Sequence, residues 1–178
     1  MEMNARRAMS CLLVVASMVV ASGPDSAASE VVRLTVPYVR QTKALCGGAA
    51  AAMVFRYWGD ARADPNQFAP LLDRAAGGLA TGVLANAIED RGWRVVRFTG
   101  SIESVADLLR DGRPVIVLLK VRNGFHYVVV VGTTDTGSIV VHDPARGPSR
   151  SLPIQKFLDA WKPAGFWALL VLPGPPRT

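Results

Sequence analysis

Residues 114–132 read PVIVLLKVRNGFHYVVVVG, and this stretch decides the fold. Pro114 to Val121 is an apolar, branched run of strand length. Asn123-Gly124 follows, the strongest short signal for a hairpin turn, and Tyr127 to Gly132 returns as the second arm. A turn over Thr133 to Gly137 and a third apolar run, Ser138 to His142, extend the pattern into an antiparallel sheet. Further on come a Pro/Gly loop, a short helix near Ile154 to Trp161 and a last strand from Phe166 to Leu172.

Upstream the pattern changes to helices. Val31 to Val36 is a short apolar entry segment broken by Pro37. After a loop, Ala49 to Trp58 (AAAAMVFRYW) suits a buried helix, with Gly47-Gly48 read as a tight turn before it and Gly59 as its C-terminal cap. Asp64-Pro65 starts a short helix that Pro70 interrupts. Thr81 to Arg91 is a third helix with Val83, Leu84, Ala87 and Ile88 on its apolar face. Gly92 ends it, and Trp93 to Phe98 is a strand. Ser101 caps a fourth helix, which presents Ile102, Val105, Leu108 and Leu109 and stops at Gly112. Helices first, then mostly antiparallel strands, make an α+β layout. No repeat or linker divides residues 29–178, so they are expected to form one domain.

Residues 1–28 are set apart. Arg6 and Arg7 precede the apolar run Cys11 to Ala21, and small residues follow at Ala21-Ser22-Gly23 and Ala27-Ala28-Ser29. This is the layout of a secretory signal peptide. The run is about half the length of a spanning helix. The chain is therefore expected to be exported, periplasmic or secreted, or anchored if that segment is not cleaved.

Half of the 178 residues are hydrophobic and 19% are charged, which excludes a disordered chain. The net charge of +6 is spread over scattered arginines, with no basic run interleaved with aromatics, so nucleic acid is not an expected partner. Of two cysteines, Cys11 lies in the signal segment. An exported domain would keep Cys46 as a lone thiol where disulfides form and persist. Such a thiol is oxidised unless it is buried or used.

The neighbours of Cys46 favour use. A thiol at a helix N-terminus feels the positive end of the dipole, which favours thiolate. A thiol nucleophile needs a base, usually histidine, and the chain has two, His126 and His142. His126 follows the hairpin turn, at a sheet end where a side chain can face a cleft. Asp143 closes the next strand, 17 positions on, where it can orient that imidazole. Asp-Pro is equally a common turn initiator. His142 points to the other face of its strand, as a structural group or a substrate-side contact. Gln41 and the Cys46 N–H are candidate donors to an oxyanion. Two histidines and one mature cysteine, without ligand spacing, support no metal site.

The run Val36-Pro37-Tyr38-Val39-Arg40-Gln41, then Cys46-Gly47-Gly48-Ala49-Ala50 and Met53, resembles the nucleophile region of the bacteriocin-processing cysteine peptidases of family C thirty-nine and their stand-alone relatives. His126 to Gly132 resembles that family's histidine strand, and Asp143-Pro144 with Gly147 its aspartate loop. Leu45 stands where exporter-linked members often carry aspartate, which points to the stand-alone branch. The resemblance implies a papain-like cysteine peptidase fold in which Cys46 is nucleophile, His126 base, Asp143 orienting acid and Gln41 an oxyanion donor. It implies no cofactor and a peptide or protein substrate. Two rivals are an amidase or acyltransferase acting on other amides, such as cell-wall peptides, and a non-catalytic peptide-binding module.

Overall fold

The computed structural model describes residues 31–175. The expected signal segment, with Cys11, lies outside the described residues. The elements run α1 (Cys46–Tyr57), a 3-10 helix (Pro65–Leu71), α2 (Thr81–Glu89), β1 (Arg94–Thr99), α3 (Ile102–Arg110), β2 (Val115–Val121), β3 (Gly124–Thr133), β4 (Ile139–Asp143), β5 (Gly147–Leu152), α4 (Ile154–Trp161) and β6 (Trp167–Leu172). The strands form one sheet in the order β1-β6-β2-β3-β4-β5, every pair antiparallel. The expected α+β papain-like layout is borne out.

The long apolar runs of β2 and β3 have a direct cause: both faces of the sheet are covered. Tyr127, Val129 and Val131 face the layer containing α1 and α2. Val128 and Val130 face α3 and α4, where Phe157 and Trp161 are fully buried. An alternating pattern was impossible for strands with no solvent side.

Four local expectations are corrected. The β2–β3 register pairs Val121 with Gly124, so Arg122 and Asn123 make the turn. Gly124 is instead the first residue of β3, at φ +132°. Gly47 and Gly48 form no turn before the helix; α1 begins at Cys46 and contains them. They are small because neighbours press close. A Cβ on Gly48 would lie 2.7 Å from the Pro65 carbonyl oxygen, and one on Gly47 3.2 Å from the Tyr127 ring. Val83 is 41% exposed, and Ala85 takes its place on the buried face of α2. Finally, the Pro/Gly loop after Asp143 contains an edge strand, β5.

The start markers hold. Asp64 accepts from the Asn66 N–H with Pro65 in the first turn, and the 3-10 helix carries Pro70 inside it. Ser101 caps α3 reciprocally with Ser104. The entry segment is bound to the middle of the molecule: Leu34 N–H donates to Val131 O and Thr133 N–H to Val32 O, both at 2.8 Å. A side chain on Gly132 would collide with the Val32 carbonyl, so this close crossing requires glycine there.

Candidate active site

The site forms where the N-terminus of α1 meets the hairpin end of the sheet. Cys46 is the first residue of α1 and 9% exposed. Thr42 to Leu45 turn the chain into it, Leu45 N–H donating to Thr42 O, with Ala44 left-handed at φ +62°. A β-carbon in that region costs about 1 kcal/mol, so packing around the helix start holds a strained residue two positions before the thiol.

His126 lies on β3, opposite Leu119 of β2. Asp143 lies one residue beyond His142, which pairs with Val129, so it faces the Val128 position and shares a face with His126. The two side chains meet: His126 Nε2 is 2.7 Å from Asp143 Oδ1, with both largely buried. That leaves Nδ1 for the thiol, and the Cys46 and His126 side chains lie close enough for each to shift the other's pKa. The sulfur also interacts with the backbone N–H groups of Tyr127 and Gly47.

Asp143 Oδ1 has further partners. It accepts from the N–H groups of Ala145 at 2.9 Å and Arg146 at 3.1 Å. One oxygen thus starts the β4–β5 turn and holds the imidazole, so both sequence readings of Asp143 describe it.

The electrostatics follow from this chain of bonds. Burial alone would neutralise all three groups. For Cys46, burial pushes the pKa up, but hydrogen bonds from His126, Tyr127 and Gly47 and the imidazole's charge outweigh it and hold the thiol below its ordinary value. For His126, burial pushes down, and the Asp143 and Cys46 bonds and charges raise the imidazole to about 9. Asp143 stays below the ordinary carboxylate value, burial being outweighed by His126 and the two backbone donors. The arrangement favours the thiolate–imidazolium pair beside an ionised carboxylate.

Gln41 enters from the approach segment, its N–H donating to Pro144 O at 3.0 Å. Its Oε1 is the buried side-chain polar atom among the described residues that has no hydrogen-bond partner. Such atoms are rare in folded proteins, and this one belongs to an amide on the segment leading to the thiol. His142 is turned away from the site. Its Nε2 donates to Val36 O at 2.9 Å, Nδ1 accepts from Ser149 N–H at 3.1 Å, and burial holds its pKa down. It is a neutral structural group.

Two tyrosines escaped the sequence reading. Tyr38 OH lies 3.2 Å from the carbonyl oxygens of Asp143 and Pro144, and its ring packs edge-on against His142. It ties the Gln41 segment to the Asp143 turn. Tyr127 OH donates to Leu79 O at 2.9 Å, bringing the Gly77-Gly78-Leu79 loop beside the thiol. Both appeared in sequence as ordinary aromatic positions; only the register of β3 and β4 shows which backbone they reach.

Two concavities flank the pair. One, of about 270 Å³, is lined by Cys46, Gly78, Leu79, Phe125 and Tyr127. The other, of about 190 Å³, touches His126 and Asp143 but not Cys46. Among the described residues, no group of three or more His, Cys, Asp or Glu side chains could hold a metal ion.

A model of the peptidase C39-like family matches residues 33–169, from the entry segment to β6. The chain belongs to the C39-like peptidase family. It is accordingly a cysteine-type peptidase, as expected from sequence. The fold agrees across its solved neighbours. A structure from Bacillus anthracis assigned as a C39-like peptidase is 21% identical with a TM-score of 0.65, over 84% of this chain and 99% of that one. A double-glycine motif protease of an AMS/PCAT transporter, solved with its leader peptide, is 22% identical with a TM-score of 0.61, over 79% and 94%. The peptidase domain of Streptococcus ComA, a bifunctional ABC transporter, is 18% identical with a TM-score of 0.64, over 76% and 96%. No curated protein sequence matches the chain. Among the described residues, no helix of this C39-like peptidase is long and apolar enough to cross a membrane.

Proposed function

We propose that this C39-like peptidase is an exported enzyme that cuts peptide bonds with Cys46 as nucleophile, His126 as general base and acid, and Asp143 as the group that orients the imidazole. The observation that carries the reading is the 2.7 Å hydrogen bond that fixes His126 on Asp143, with the imidazole beside the Cys46 thiol at the start of α1. His126 Nδ1 holds the thiol proton, leaving a thiolate to attack the peptide carbonyl carbon. The developing oxyanion takes hydrogen bonds from the Cys46 N–H and the Gln41 amide, whose placement beside the thiol's entry loop supports that role. The C–N bond breaks as His126 gives its proton to the leaving nitrogen. Water, deprotonated by the same imidazole, then cleaves the thioester.

The substrate is a peptide or protein segment. The transporter-linked neighbour was solved with a leader peptide; whether this enzyme shares a Gly-Gly preference is decided by the same experiment that tests the chemistry. Export rests on the signal-like pattern of residues 1–28.

The test pairs a peptide library with thiol labelling. The wild-type chain should cleave and should alkylate with iodoacetamide faster than a free cysteine at pH 7. Cys46→Ala should not cleave and should lose the fast labelling, any retained Cys11 reacting only at the rate of a free cysteine, and His126→Ala should slow the labelling. Cleavage by Cys46→Ala, or labelling indifferent to His126, would overturn the assignment. Transfer of the acyl group to an added amine in preference to water would make it an acyltransferase.

A further inference from the structure

Part of the positive charge scattered along the sequence gathers in one place in the fold. The groove beside His126 and Asp143 draws Arg122 from the hairpin turn, Arg146 from the β4–β5 turn, Arg150 from β5 and Lys156 from α4. Lys120 adds a fifth cation, its ammonium 4.8 Å from the Phe125 ring centroid. Asp143 is the one acidic residue lining it. Its Oδ1 is already held by His126 and two backbone donors, and its Oδ2 lies 3.8 Å from Arg146 Nε.

Three arginines elsewhere on the surface have acidic partners: Arg97 with Glu89, Arg110 with Asp107 and Arg113 with Asp111. Among the described residues, no acidic side chain pairs with Arg122, Arg150 or Lys156. Like charges held together repel, and the four cations come from four separate elements. Protection of the exposed edge β5 by positive charge accounts for Arg150, but not for Arg122 and Lys156 turning toward the same hollow.

The two concavities adjoin different members of the Cys46–His126 pair. The one beside Cys46 adjoins the sulfur that keeps the acyl group; its lining has a single charged residue, Asp73, whose Oδ1 accepts from Ala75 and Ala76. The basic groove adjoins His126, which protonates the leaving nitrogen. We propose that this groove binds carboxylates of the leaving segment, so that the enzyme prefers substrates carrying Asp, Glu or a free C-terminus shortly after the cleaved bond. The inference rests on the peptidase reading above. Guanidinium groups suit it, since each presents a planar pair of donors to a carboxylate.

The full chain is offered a mixed peptide library, with new N-termini identified by sequencing, and the same library with amidated C-termini. Wild-type products should be enriched in Asp and Glu within the first few residues after the cut. The double variant Arg150→Glu/Lys156→Glu should lose that enrichment and cut acidic substrates about fivefold or more less efficiently, with neutral ones little changed. The wild-type preference should shrink as salt rises from 0.05 to 0.5 M, on the order of the screening of exposed charges. Loss of cleavage on amidation alone would identify the terminal carboxylate as the ligand; loss on neutralising side chains would identify Asp and Glu. Cleavage with no acidic enrichment, or enrichment that survives the double variant, overturns the inference and leaves the peptidase reading standing. If nothing is cleaved, that reading fails instead, and fluorescence anisotropy then decides. Cys46→Ala should still bind labelled acidic peptides more tightly than their Asn/Gln counterparts, and equal binding overturns the inference.

Discussion

At the scale of single residues, Asp143 has the most to disclose, because one of its oxygens serves two structures. Oδ1 accepts from the turn N–H groups of Ala145 and Arg146 and from His126 Nε2. In Asp143→Asn the two backbone donors select the amide oxygen, not the amide nitrogen, for that position. The His126 tautomer is then preserved and only the negative charge is lost. We expect kcat/KM near neutral pH to fall about tenfold or less, where a reversed tautomer would cost far more. In Asp143→Ala both the turn and the imidazole lose their anchor, and activity should fall about a hundredfold or more. The pH profile separates the effects. His126 is raised to about 9, so its proton is present below that pH and lost above it. The Cys46 thiol is lowered, so thiolate is present above its pKa and lost as pH falls. The pair gives a bell for kcat/KM with an alkaline limb near 9. Removing the Asp143 charge removes one of the causes that raise His126, so that limb should move to lower pH in Asp143→Asn. An unmoved alkaline limb would show that another group sets it. Cys46, His126 and Asp143 were readable in sequence because few residues of the right type exist and because strand parity put two of them on one face. Tyr38 was not, since nothing local says that its hydroxyl reaches a carbonyl more than a hundred residues away.

At the scale of elements, α1 shows how packing overrides local preference. Alanine normally favours a helix over glycine by about 1 kcal/mol. At Gly48 the added methyl would sit 2.7 Å from the Pro65 carbonyl, a backbone atom that cannot swing away. Overpacking of this kind costs about 1–3 kcal/mol and outweighs the propensity gain, so Gly48→Ala should lower the denaturation midpoint. At Gly82 of α2 an added Cβ meets nothing within 4 Å, and Gly82→Ala should stabilise by about 0.5 kcal/mol. Urea melts of the two variants should therefore move in opposite directions; a common direction would mean that propensity, not space, governs both sites. The same competition explains where sequence failed. A glycine pair before an alanine run reads as a turn only if the space around it is unknown. β5 (GPSRSL) carries no apolar alternation because most of it is exposed at the sheet edge, so only its pairing to β4 declares it a strand. The buried hairpin, by contrast, was legible in its apolar arms, and slipped at the ends of the second arm, where Gly124 to His126 and Thr133 joined the strand.

At the scale of the whole molecule, the catalytic end of the sheet is held by a strap of chain that precedes α1. Residues 32–41 cross β3 and β4 and bind them at successive points: Val32 O to Thr133 N–H, Leu34 N–H to Val131 O, Val36 O to His142 Nε2, Tyr38 OH to the Asp143 carbonyl, and Gln41 N–H to Pro144 O. The strap thus joins Gln41, the Asp143 turn and a buried histidine into one body. A chain beginning at Ser29 keeps every one of these contacts, whereas one beginning at Pro37 loses the first three. His142 Nε2–H loses its bond to Val36 O and turns to water instead, at about 1 kcal/mol. The loss of the Val131 and Thr133 bonds adds about 1 kcal/mol each. For a domain of this size each kcal/mol lowers the melting temperature by about 2–4 °C. The shorter chain should therefore melt roughly 6–12 °C below the longer one. Its His126 and Asp143 side chains remain, so any loss of activity measured well below the melt would come from a displaced Asp143 turn. Equal melting temperatures for the two chains would show that the strap contributes nothing to stability, and that the site's geometry is set by the sheet and α1 alone.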